Sequence, residues 1–141
     1  MFKFFKKKNI NLKQNNNLFE MTASLLVHAA KMDENYTDKE KNIIKKTLIE
    51  FGCNKENVEK TIKNAEIREN ESNHILDFTK EIKNADNNFK EKLIETLWKI
   101  IYSDKNSDIY ESNLMRKLSG LLYLDNKIVG DIKEKVKKDL E

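Results

Sequence analysis

Apolar residues recur at intervals of three and four along most of this chain, and polar clusters break the series repeatedly. Leu18, Met21, Leu25, Leu26 and Ala29 form the first stripe, which fades near Met32. Ile43, Ile44, Thr47, Leu48 and Phe51 form the second, and Val58, Ile62 and Ala65 the third. A fourth holds Ile75, Phe78, Thr79 and Ile82, and a fifth Phe89, Leu93, Leu97, Ile100 and Ile101. Leu114, Met115, Leu118, Leu121 and Leu122 make the sixth; Ile128, Val129, Ile132 and Val136 make the seventh. Residues at these spacings share one face of an α-helix, so each stripe predicts a helix laid on a common core.

The polar clusters carry matching start and stop signals. Thr37 with Glu40 three residues later is a capping-box pattern, and Asp108 with Glu111 is a second. Asn54, Asp86 and Asp125 read as N-caps, and Ser72 or Asn73 opens the fourth helix. Gly52 stops the second helix by supplying a left-handed backbone.

The acidic signature also returns. Asp33-Glu-Asn-Tyr-Thr-Asp-Lys-Glu40 is echoed by Asp104-Lys-Asn-Ser-Asp-Ile-Tyr-Glu111, with Asp104 following Asp33 by 71 residues. Leu26 and Leu97, Asn42 and Asn113, Lys46 and Lys117, and Val58 and Val129 keep the same offset without a gap. Such self-similarity decides architecture. Helices one to three are repeated as five to seven, and the fourth is a connector. The predicted fold is therefore all-α: a single seven-helix bundle of two three-helix repeats plus that connector.

Composition sharpens this picture. The chain has 141 residues, no proline and three glycines, which disfavours strands joined by tight turns and fits one helical domain. The formal charge is +3, from 27 basic and 24 acidic residues, so no nucleic-acid partner is expected. The basic excess is local: Lys3, Lys6, Lys7, Lys8 and Lys13 precede the first acid. Residues 1–17, rich in lysine and asparagine, read as a flexible N-terminal tail, and residues 18–141 as the helical domain. Phe2, Phe4 and Phe5 beside Lys3, Lys6, Lys7 and Lys8 suit weak contact with an anionic membrane surface. Cys53 is the sole cysteine, which fits a reducing compartment. No apolar run approaches the ~20 residues that span a bilayer. The expected location is cytoplasmic, with peripheral contact at the inner membrane as an added option.

Leu25-Leu-Val-His-Ala-Ala-Lys-Met-Asp33, then Glu40, then Phe51-Gly52 resembles the tellurite-resistance protein TerB family. Leu97-Trp-Lys-Ile-Ile-Tyr-Ser-Asp104 followed by Glu111 resembles it again in the second half. The likeness covers roughly residues 20–138 and is greatest to the small standalone bacterial members. It implies an all-helical, pseudo-twofold bundle, a link to tellurite and other stress responses, and metal binding at the acidic turns. The chain differs from the family pattern after each turn aspartate, where Glu34 and Lys105 stand in place of a frequent glycine.

The turns also bear that chemistry on their own residues. Hard divalent cations need several converging oxygens. Asp33, Asn35 and Glu40 offer them in the first turn, and Asp104, Asn106, Asp108 and Glu111 in the second. The candidate cofactor is calcium, magnesium or zinc. The pattern is not an EF-hand, because the sixth loop position holds Asp38 or Ile109 instead of glycine and the twelfth holds Ile44 or Met115 instead of glutamate. Capping accounts for the same residues without a metal: the aspartates close turns and the glutamates reach back to the N-cap.

His28 and His74 are expected as separate helix residues without a shared role. Glu66-Ile-Arg-Glu-Asn-Glu71 reads as a solvated face or a dock for a basic partner. No phosphate loop, zinc spacing or catalytic triad is present, so the chain reads as a non-enzymatic binding module. Its alternative is an adaptor that docks on a membrane or membrane protein through its basic, aromatic start. A metal-assisted hydrolase would need a cleft that joins Asp33 and Asp104.

Overall fold

The computed structural model describes residues 2–32, 36–72, 74–103 and 109–140, with side chains from residue 17 onward except in 109–112. Among these residues the chain is all-helical: α1 Phe2–Lys31, α2 Asp38–Glu50, α3 Val58–Glu71, α4 Leu76–Ile82, α5 Asn87–Tyr102, α6 Ile109–Leu121 and α7 Asn126–Asp139. The predicted stripes are the buried faces. Leu25, Leu26, Ile44, Leu48, Ile62 and Leu97 are fully enclosed in one core. Helix α1 packs on α2, α3, α4 and α5, and α5 also packs on α7. The first and fifth helices are thus the central pair, and the core lies between them and the helices laid against each.

Helix ends follow local chemistry. Asp86 accepts from the Phe89 N–H at 2.8 Å to cap α5, and Asp125 accepts from the Lys127 N–H at 3.0 Å to cap α7. Gly52 has φ +106° and ends α2 in a Schellman motif: Gly52 N–H donates to Ile49 O at 3.0 Å and Cys53 N–H to Leu48 O at 2.9 Å. Tyr123, 71 residues further on, has φ 58° and ends α6 with the same pair of bonds, to Gly120 O at 3.2 Å and from Leu124 N–H to Ser119 O at 2.9 Å. The same offset relates the bounds of α2 and α6 and the last residues of α1 and α5.

Three boundaries differ from the sequence reading. Helix α1 runs from Phe2, so residues 2–17 carry helical backbone ahead of Leu18, where the first stripe begins. Lysine, glutamine and leucine there favour helix, and a long helix already anchored by its second half needs no new nucleation. Asn54 opens a turn by accepting from the Glu56 N–H at 3.2 Å, and α3 begins later, after Asn57. Helix α4 starts only at Leu76, which leaves His74 in the turn before it. Among the described residues no helix is long and apolar enough to cross a membrane.

Candidate functional site

Five of the candidate ligands, Asp33, Asn35, Asp104, Asn106 and Asp108, lie outside the described residues. Glu111 is on α6 with its side chain also outside them. Glu40 is described, and it is 1% exposed. The extended backbone of Thr37 turns the chain into α2, so Glu40 falls at the third helical position with its carboxylate folded back. Its Oε2 accepts the Thr37 N–H at 3.0 Å and also the Thr37 hydroxyl.

The other oxygen reaches across the fold. Glu40 Oε1 lies 3.2 Å from Ser103 Oγ, at the end of α5 and directly before the second acidic turn. Lys39 Nζ donates to the Ser103 carbonyl at 3.1 Å. The start of α2 is therefore pinned against the end of α5. Yet Ser103 has one hydroxyl proton, and the Ile100 carbonyl competes for it at 2.6 Å. Among the described residues Glu40 has no ion pair; every donor to it is neutral. A carboxylate taken out of water in this way is costly unless charge balances it.

Tyr36 stands beside this point, half-buried. Burial raises its phenol pKa, and the Glu66 and Glu69 carboxylates push it further in the same direction. The acidic run is not simply a solvated face. Glu66 pairs with Lys41 of α2 at 3.6 Å, and Glu69 with Lys31 of α1 at 2.9 Å. Arg68 from the same helix reaches Glu20 at 2.7 Å. Half-exposed pairs like these contribute about 1 kcal/mol at most, but they fix which face of α3 meets α1.

Two features escaped the sequence reading. His28 and His74 line one cavity of about 280 Å³, although they are distant in sequence and only His28 is helical. Glu69 Oε1 lies 3.3 Å from His28 Nδ1. Trp98 and Tyr102 stack at 5.7 Å, with Lys133 of α7 over the Trp98 ring at 5.2 Å and Lys137 over Tyr102 at 5.8 Å. Cys53 is buried, and burial raises its thiol pKa, partly offset by Thr61. Among the described residues no group of three or more His, Cys, Asp or Glu is placed to hold a metal ion.

Comparison with known proteins gives one result. The family described as tellurite resistance protein TerB matches residues 19–134. No curated protein and no solved structure matches.

Proposed function

The chain belongs to the tellurite resistance protein TerB family, and from that premise we propose that it is a non-enzymatic helical module that binds a divalent cation where its acidic turns meet. The observation that carries this reading is Glu40: a buried carboxylate whose donors among the described residues are all neutral, held between the start of α2 and the end of α5. Asp33 and Asn35 would supply ligands from the first turn, and Asp104, Asn106, Asp108 and Glu111 from the second. Carboxylates and amide oxygens suit calcium or magnesium; zinc would use fewer of them. Glu40 then acts chiefly as the link that sets one turn against the other. The physiological setting in this reading is a tellurite or related stress response.

Amide NMR titration of the full chain with calcium, magnesium and zinc tests it. Shifts confined to residues 33–40 and 104–111, and lost in Asp104→Ala plus Asp108→Ala, are expected. No shift at millimolar metal, or the same shift in the double variant, would overturn the reading.

A second reading is favoured by α1. Its helix carries Phe2, Phe4, Phe5, Lys3, Lys6, Lys7 and Lys8 on the same continuous element as the core residues Phe19 to Ala30. A membrane surface or membrane protein engaged by the first turns would thus be coupled rigidly to the bundle. Liposome sedimentation of the full chain and of a form lacking residues 1–17 decides it: equal partitioning of the two ends the adaptor reading.

A further inference from the structure

We propose that the cavity shared by His28 and His74 is a second binding site, for a small carboxylate that carries a hydrocarbon part. The cavity lies between the end of α1, the turn before α4, and α6, and it holds about 280 Å³. That is near the lower end of small-ligand pockets. Its lining is divided by chemistry. His28, His74, Asn113 and Lys117 bring imidazole, amide and ammonium groups, and among the described residues no acidic one lines it. Met32 and Leu114 are among the apolar residues that complete the wall. Leu76, also in the lining, is 49% exposed, an unusual exposure for a leucine beside so much buried surface.

Charge selects the ligand. Among the described lining residues a metal ion would sit beside the Lys117 ammonium with two imidazoles and no carboxylate, which is a poor cation site. An anion meets Lys117 directly and can accept from Asn113. The apolar wall gives a hydrocarbon part somewhere to leave water, at about 25 cal/mol per Å² of apolar surface.

Glu69 prepares His28 for this role. Its Oε2 is held by Lys31 at 2.9 Å, and its Oε1 faces His28 Nδ1 at 3.3 Å. With the Nδ1 proton directed to Glu69, Nε2 is the ring nitrogen left for a ligand. Nε2 donates to a carboxylate when the ring carries both protons. The charged and titratable groups around that ring are Glu69 and Lys31 on one side and His74 and Lys117 along the cavity.

The experiment is an NMR titration of the full chain, following amide and imidazole ring signals, with sodium octanoate as probe. Octanol, inorganic phosphate and zinc chloride are added in separate arms. Octanoate is expected to shift the His28 and His74 ring signals saturably. Lys117→Met should weaken it about tenfold and Lys117→Arg should restore it, with unchanged amide spectra elsewhere. Octanol shifting the rings as well as octanoate would overturn anion recognition. Phosphate binding as tightly would overturn the role of the apolar wall. Zinc capturing both rings while octanoate leaves them unmoved would replace the proposal with a metal site, and silence in every arm would end it. None of these arms depends on the acidic turns.

Discussion

Glu40 and Ser103 meet at 3.2 Å, oxygen to oxygen, across a gap of 63 residues. The contact is incomplete as a hydrogen bond, because Ser103 Oγ is closer to the Ile100 carbonyl, at 2.6 Å, and has one proton to give. A buried carboxylate thus joins two parts of the fold, and its donors among the described residues are limited to Thr37 and Ser103. The arrangement is tolerable in a structure that gains a cation there and costly in one that does not.

Glu40→Gln is expected to stabilise the metal-free protein by about 1 kcal/mol. The amide oxygen keeps the bond from Thr37 N–H, and the amide nitrogen can donate to Ser103 Oγ. Added divalent cation should reverse the order, since only the carboxylate gains from it. Urea denaturation in chelator and in millimolar cation measures both. A loss of stability in chelator would show that the charge itself is well accommodated.

Gly52→Ala should cost about 1 kcal/mol or more, because φ is +106° and an added Cβ resists that backbone wherever the space is open. Tyr123 occupies the corresponding turn at φ 58°. Tyr123→Gly should therefore gain up to about 1 kcal/mol, less what its contact with Lys90, 5.9 Å away, contributes. Denaturation midpoints of the two variants should move in opposite directions; movement in the same direction would contradict the strain argument.

Tyr36 makes stability fall at alkaline pH. Its phenol pKa is raised in the fold by burial first and then by Glu66 and Glu69. The folded state therefore holds the proton longer than the unfolded state, whose phenols titrate near ~10. The contribution is full below that value and is lost as pH rises above it towards the folded value. Tyr36→Phe should flatten the stability profile above about pH 10, and urea midpoints across that range measure it. An unchanged profile would remove Tyr36 as the cause.

Cys53 should be slow towards Ellman's reagent. The thiol is buried, which keeps its pKa up and its thiolate scarce. Reaction of the native chain is expected to be at least about tenfold slower than in denaturant. Comparable rates would mean that the segment after Gly52 opens readily.

Periodicity and capping were legible because they act within a few residues. The stripe from Ile43 to Phe51 needs only the helix's own geometry to define a face, and Thr37, Glu40, Asp86, Asp125 and Gly52 act on backbone groups next to them. The 71-residue echo followed from comparison of the chain with itself. The start of α1 was less legible, because a polar segment that is weakly helical alone can continue a helix anchored elsewhere.

The sequence by itself determined the seven helices seen among the described residues, where most of them stop, and which residue types the turns present. Only the tertiary structure decided that Glu40 faces Ser103, that Glu69 braces His28 from another helix, and that both histidines line one cavity. These relationships join residues 63 and 41 positions apart, or groups on three separate elements. They depend on how buried faces dock and at what angle. Helical periodicity specifies that a face will be buried; the packing of side chains from all the helices together specifies what it will meet.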